Sequence, residues 1–310
     1  MVKRPIIITI TGGKGGTGKT LCAINIATMF KNEGKKVLLV DGDVENPNTY
    51  LLMGIDLNNK NAVNYFKPEI VEDKCMKCGI CAENCLTHAF LHIKDHIPIP
   101  ILTLCSGCKL CYKICPSGAI RADSKIIGWK YQMQVNTITL LIGELKPSEA
   151  RSAAIIDNLL EDVRQIIENT PDKFDIIILD TAPGAHCDVE LLIGASDLVI
   201  PVTEPTKFGK LDLFRIIDLI RLLNKDYKVI VNRSSLLGFR EQFIEELNKN
   251  NIKLLGDIPL DDEVVNSYCQ GIPLMEKNKI QGRYDGAHAS FLNIFNNLKE
   301  WIRIKQDNRL

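Results

Sequence analysis

The chain has no excess of charge of either sign: thirty-eight Lys and Arg balance thirty-eight Asp and Glu over 310 residues. No global field therefore draws it to nucleic acid or anionic lipid, and a polyanion-binding role would need a local patch. Long hydrophobic runs are also missing. No apolar stretch approaches the ~20 residues that cross a bilayer, and the N-terminal region enters the strand-like run Ile6-Ile7-Ile8-Thr9-Ile10 without a signal-peptide layout. A cytoplasmic protein is expected, with no nucleic-acid partner and no stable membrane insertion. Eleven cysteines are too few for a small disulfide scaffold, yet eight of them fall within 41 residues, from Cys75 to Cys115. In a reducing compartment such clustering points to metal. The hydrophobic content of 45% and the length suffice for about two domains of ~150 residues, each with a core.

From Ile6 to Asp41 the pattern is apolar strand, glycine-rich loop, helix from near Lys19, then the strand Val37-Leu38-Leu39-Val40. This is a βαβ opening. The alternation returns with a helical stretch over 148–168 and short apolar strands at 176–179, 198–202, 229–231 and 254–258. Continuously apolar strands suit a parallel sheet covered on both faces. The expected fold class is a doubly wound, mostly parallel α/β domain formed by 1–58 and 131–310. The rhythm stops over 59–130, read as a small inserted α+β domain. Within it Cys75, Cys78, Cys81 and Cys85 recur thirty residues on as Cys105, Cys108, Cys111 and Cys115, and Ala89-Phe90 recurs as Ala119-Ile120, which suggests a pseudo-twofold unit.

Gly13-Lys14-Gly15-Gly16-Thr17-Gly18-Lys19-Thr20 fits G-x-x-x-x-G-K-(S/T), directly after a strand and before a helix. Glycines let successive N–H groups turn toward phosphate oxygens and the helix N-terminus adds its dipole. Lys19 supplies charge to the β/γ-phosphates and the Thr20 hydroxyl a Mg²⁺ ligand, with Leu21 following at the nucleotide. Asp43, in Asp41-Gly42-Asp43, and Asp180 lie at strand carboxyl ends, where carboxylates serve water and the metal shell.

The extra Lys14 in KGGTGKT resembles the deviant Walker A signature of the MinD, ParA, Mrp and nitrogenase iron protein superfamily of P-loop NTPases (SIMIBI type). The resemblance implies ATP as nucleotide, an ATP-dependent homodimer with Lys14 reaching the partner's nucleotide, Asp43 as the switch I carboxylate and Asp180 to Gly184 as switch II. It further implies an adenine-reading segment at Asn232-Arg233 and a late nucleotide-flanking segment from Gly256-Asp257-Ile258-Pro259 to Gly271-Ile272-Pro273.

Each four-cysteine group reads C-x2-C-x2-C-x3-C, and the second ends in Cys115-Pro116. That spacing belongs to bacterial-type two-cluster ferredoxins, in which the fourth cysteine of each run serves the other cluster. Cys75, Cys78, Cys81 and Cys115 are thus assigned to one 4Fe-4S cluster, and Cys105, Cys108, Cys111 and Cys85 to the other. Zinc is the chemical rival, because paired C-x2-C motifs also build four-thiolate sites. Leu86 departs from the proline usual after the fourth cysteine, and Thr87-His88 from the usual turn residues. Ten Lys or Arg against six acids in 59–130 would favour an acidic redox partner, although solvated lysines explain them equally.

Cys22 is expected to pack and Cys269 to be a small core residue. Cys187, seven residues after Asp180, resembles in spacing a ligand of the nitrogenase iron protein, but the 141–152 stretch offers no companion, so an inert cysteine is expected. His186, His88, His92 and His96 show no zinc-type pairing. Phe291, Ile294, Phe295, Leu298, Trp301 and Ile302 form a helical stripe read as a docked core helix rather than the membrane-binding helix of MinD-type proteins. Together these imply an ATPase with redox-active clusters that acts on an unidentified redox protein. The rival is an ATP-dependent carrier serving an apo-metalloprotein client.

Overall fold

A computed structural model describes residues 4–236, 240–276 and 285–307. The chain opens with β1 (Ile6–Thr11), α1 (Lys19–Asn32), β2 (Val37–Gly42) and α2 (Thr49–Leu52). It continues through β3 (Lys60–Ile70), α3 (Ile80–Glu83), β4 (Phe90–Leu91), β5 (Ile99–Pro100), α4 (Leu110–Ile114) and β6 (Ile120–Val135). Then follow β7 (Ile138–Leu145), α5 (Ser152–Asn169), β8 (Ile176–Thr181), α6 (Cys187–Ala195), β9 (Leu198–Thr203) and α7 (Lys207–Leu222). The last elements are β10 (Asp226–Tyr227), β11 (Val229–Val231), α8 (Arg240–Lys249), β12 (Leu254–Asp257), α9 (Asp262–Gln270) and α10 (Gly286–Asp307). They form two compact units: Met1–Asn61 with Lys130–Glu144 and Ser152–Leu310, and Ala62–Trp129 with Leu145–Arg151.

In the first unit the strand order is β12-β11-β9-β1-β8-β2-β7, and the pairs along it are parallel. Every residue of β1, β2, β8 and β9 is buried, as strands covered on both faces must be. Ile10 stands opposite Asp180, and Asp180 opposite Asp41, so three strands deliver their carboxyl ends side by side. Helix α1 is buried along nearly its whole length. Its one interior amide, Asn25, is satisfied, since Nδ2 donates to the Leu21 carbonyl at 2.8 Å and Oδ1 accepts from the Met275 N–H at 2.9 Å.

Helix α10 docks as the stripe suggested. Phe291, Ile294 and Leu298 are fully enclosed, and Phe295 meets Phe30 edge-on at 4.8 Å. Burying each contributes about 1.5–3 kcal/mol. Among the described residues no helix is long and apolar enough to cross a membrane.

The second unit repeats its backbone as well as its cysteines. Left-handed residues recur at the thirty-residue interval: Lys77 (φ 57°) with Gly107 (φ 66°), Gly79 (φ 77°) with Lys109 (φ 62°), and His88 (φ 50°) with Gly118 (φ 60°). The Ile101 N–H donates to Ala89 and the Val71 N–H to Ala119, the same bond made once by each half. A small core of Phe66, Phe90, Cys111 and Ile120 lies among Cys81, Cys85 and Cys115. The unit also takes in Leu145–Arg151, beyond the 59–130 insertion read from sequence. The cause is polar: the Lys146 N–H donates to the Ile127 carbonyl at 2.9 Å, and Lys125 holds Glu149 at 2.7 Å. For the same reason α5 begins at Ser152 and not at Ser148, whose φ is +66°.

Candidate functional site

The loop from Gly12 to Gly18 joins the buried end of β1 to α1. Gly16 and Gly18 adopt φ of +79° and +96°, which turns their N–H groups without side-chain strain. A Cβ on Gly18 would strike the Asn232 amide, so the tight approach of the β11 end requires glycine there. Gly13 lies against Asp212 at the same tolerance. The Lys19 ammonium bends back to donate to the Lys14 carbonyl at 3.1 Å and is nearly enclosed. Burial holds it below the ordinary lysine value, against the opposing pull of Asp180 and Asp43.

Three carboxylates at the ends of β2 and β8 play different parts. Asp41 is fully employed: it accepts from the Thr49 hydroxyl at 2.8 Å and from the N–H groups of Thr49, Asn48 and Asp43 at 3.0, 3.1 and 3.1 Å. It therefore fixes the turn that presents Asp43. Asp43 is pushed up to about 6 by burial and by Asp41, with Lys19 pulling it down. Asp180 is fully buried, and neither oxygen has a hydrogen-bond partner. Burial and Asp41 raise it well above the carboxylate range; the Thr20 hydroxyl beside it favours the ionised form without meeting hydrogen-bond geometry.

An orphaned buried carboxylate next to a threonine hydroxyl and a lysine fits a bound cation and phosphate, since a buried charge left without partners is costly. A cavity of about 780 Å³ opens here, lined by Gly15, Gly16, Gly18, Lys19, Thr20, Leu21 and Asp43 and also by Asn232, Arg233 and Pro259. Its remaining wall includes Leu260, Val265 and Tyr268, an apolar surface suited to a flat ring. Gly13, Lys14, Thr17 and Asp180 do not line it. Thr17 is buried behind the loop, where its carbonyl accepts from Asn232 Nδ2 at 2.8 Å. The other end of that amide accepts from the Arg233 N–H at 2.9 Å, so Asn232 ties the phosphate loop to β11.

Lys14 meets a residue that the sequence reading passed over. Glu204, at the end of β9 and 6% exposed, receives the Lys14 ammonium at 3.3 Å and pairs with Arg233 as well. The signal was present: Thr203-Glu204-Pro205 puts a carboxylate at the carboxyl end of a strand beside β1.

In the second unit one small cavity is lined by Cys75, Cys78, Cys81 and Cys115, together with Pro98, Ile70 and Ile120. Three of these thiols come from the first repeat and the fourth from the second. Cys111 has Cys105 and Cys108 as electrostatic neighbours; burial first, then those thiols, push it up to about 11. Cys85 and Cys115 behave oppositely. Burial would raise both, but hydrogen bonds from the Ala89 N–H at 3.3 Å to Cys85, and from Ser117 and the backbone to Cys115, leave them below the ordinary thiol value. Thr87 stands 3.6 Å from the Cys85 sulfur as Ser117 stands 3.8 Å from that of Cys115. The departures at Thr87 and His88 thus preserve the local geometry, with His88 taking the left-handed turn that Gly118 takes in the other half.

Among the described residues, no group of three or more His, Cys, Asp or Glu side chains converges closely enough to hold a single metal ion. Cys22 is enclosed, as expected, and burial raises its thiol. Cys269 is exposed on α9 and not the core residue its sequence suggested; the buried face of that helix carries Ser267. Cys187 is exposed at the first turn of α6.

The model of the CobQ/CobB/MinD/ParA nucleotide binding domain matches residues 8–274. The chain belongs to this family. An uncharacterized protein of Methanocaldococcus jannaschii is 33% identical over 278 residues, covering 89% of this chain and 94% of its own. The septum site-determining protein MinD of Synechocystis is 23% identical over 279 residues, covering 88% and 83%. The solved structure of MinD complexed with Mg-ADP from Pyrococcus horikoshii superposes with a TM-score of 0.59 at 19% identity, covering 97% of this chain and 98% of that one, and shares its fold. The α/β, mostly parallel nucleotide-binding fold of the first unit is that of MinD.

Proposed function

We propose that the chain is a Mg²⁺-dependent ATPase that closes as a homodimer on ATP, and that its nucleotide state governs a redox unit of two 4Fe-4S clusters serving a partner protein. The observation that carries this reading is one chain bearing both a phosphate loop backed by an unpaired buried carboxylate and a cysteine unit whose first cavity draws thiols from both repeats.

On the nucleotide side, the N–H groups of Gly15, Gly16, Gly18, Lys19 and Thr20 and the α1 N-terminus cradle phosphate oxygens while Lys19 faces the β/γ-phosphates. Thr20, with Asp180 behind it, would hold Mg²⁺, which when bound spreads the negative charge of the phosphates. Asp43, titrating at about 6, accepts a hydrogen bond from the attacking water and orients it. Asn232, Arg233 and Pro259 flank the base. Lys14 leaves Glu204 for the partner's nucleotide on closure, so the resting protomer stores the signature lysine in cis.

On the cysteine side, Cys75, Cys78, Cys81 and Cys115 would hold one cluster and Cys105, Cys108, Cys111 and Cys85 the other. When bound, such clusters supply one-electron transfer. The run of three cysteines at successive x2 spacing in each repeat supports a cube over zinc. The exposure of Cys78 and Cys108 favours a second reading, a carrier that hands iron–sulfur units to an apo-protein.

Anaerobic purification with iron and sulfide analysis, and ATPase rates with and without reductant, test the proposal. About eight irons per chain and a redox-dependent rate are expected. Colourless, sulfide-free protein would remove the redox half and leave the ATPase. Rapid cluster transfer to an apo-client would favour the carrier.

A further inference from the structure

The two cysteine sets share a backbone but not their surroundings. Behind the first, the His92 ring packs on Gly79, where an added Cβ would stand 2.6 Å from Nδ1. Behind the second stands a charged cluster. Arg151 Nε donates to the Cys105 carbonyl at 3.4 Å, and its guanidinium also reaches the Leu102 carbonyl and Glu149. The same guanidinium lies 5.2 Å from the centre of the Tyr65 ring. Tyr65 in turn presses on Gly107, where a Cβ would stand 2.5 Å from the ring, and it has Cys105 and Cys108 as electrostatic neighbours. The Gly107 N–H points to the Cys105 sulfur at 3.4 Å.

Lys125, Glu149 and Arg151 are joined by ion pairs and sum to one positive charge. The Arg151 side chain is only 13% exposed, so solvent screens it weakly, whereas Lys74 and Lys77 beside the first set are exposed. Adding an electron makes a cluster more negative. A permanent, poorly screened cation on one side therefore favours reduction there.

Resting on the two-cluster reading, we propose that Arg151, stacked on Tyr65, is a positioning and tuning residue that gives the set of Cys105, Cys108, Cys111 and Cys85 the more positive potential of the two. Arg151 also immediately precedes α5, which begins at Ser152.

The test is a redox titration of anaerobically purified full-length protein, followed by electron paramagnetic resonance, for wild type, Arg151→Gln and Arg151→Lys. Two separate reduction waves are expected in the wild type. In Arg151→Gln the more positive wave moves negative and merges with the other, and in Arg151→Lys it returns most of the way. Waves unchanged in Arg151→Gln protein that retains full iron would overturn the inference. Should Arg151→Gln fail to load iron, Cys108→Ser and Cys78→Ser decide: perturbation of the positive wave by Cys108→Ser supports the assignment, and by Cys78→Ser reverses it. Wild-type protein without iron or sulfide would instead remove the two-cluster reading itself.

Discussion

In the nucleotide unit Asp41, Asp180 and Lys19 are almost wholly enclosed, whereas in the cysteine unit Cys78 and Cys108 are exposed and Cys111 alone of the eight thiols is buried. The first unit encloses its charges in a large apolar sheet and leaves Asp180 without a partner, so it stands ready to gain from a bound cation. The second has little apolar core of its own. Ten of the twenty large hydrophobic residues exposed among the described residues lie in it, among them Leu86, Ile93 and Ile99. On the two-cluster proposal, bound clusters would add to the stability of such a unit. The proposal thus predicts a nucleotide unit that folds by itself and a cysteine unit that depends on bound clusters.

Substitutions that separate the units have the largest expected effects. Lys19→Ala should lower ATPase kcat/KM by about 100-fold or more, the usual cost of losing a phosphate-facing donor, with iron content unchanged. Cys81→Ser should do the converse, losing iron and the fold of the cysteine unit, read by circular dichroism and proteolysis, while nucleotide still binds. Loss of both properties in either variant would break the comparison.

Asp43 sharpens it through pH. Because its carboxyl is raised to about 6, the rate should rise with pH through a limb near 6, and Asp43→Asn should remove that limb. Stability runs the opposite way. The nucleotide-free fold binds the Asp43 proton more tightly than the unfolded chain does. The contribution of Asp43 to stability is therefore fully present below about 4 and is lost as pH rises through about 6. Thermal melts across that range should show the fall, and Mg-ATP should offset it. The smallest effect belongs to Glu204→Gln. Freeing Lys14 from a partly exposed pair worth about 0.5–1 kcal/mol should lower the ATP concentration for dimerisation two- to fivefold, read by light scattering.

The parts of this molecule legible in its sequence are those in which local pattern and chemistry coincide. The strand, glycine loop and helix around Lys19 could be placed because the phosphate chemistry lies in the backbone. Cys75, Cys78, Cys81 and Cys115, grouped in the sequence by their spacing, line one small cavity, three of the four coming from one loop. Glu204 and Arg151 were not legible. Each acts on a residue distant in sequence, Lys14 or Cys105, and neither belongs to a repeating pattern. Asp41 was visible as a strand end, but its work of holding Thr49 and Asn48 appears only once the turn is folded. Cys269 misled because a cysteine on an amphipathic helix is ordinarily inward, while here Ser267 takes that face.

The central claim is that nucleotide in the first unit governs the second. It is tested most directly by titrating the reduction waves of the anaerobically purified protein with and without a non-hydrolysable ATP analogue and Mg²⁺. A displaced midpoint that returns when the analogue is exchanged for ADP is the expected result. Superimposable titrations, obtained while dimerisation confirms that the analogue is bound, would contradict it.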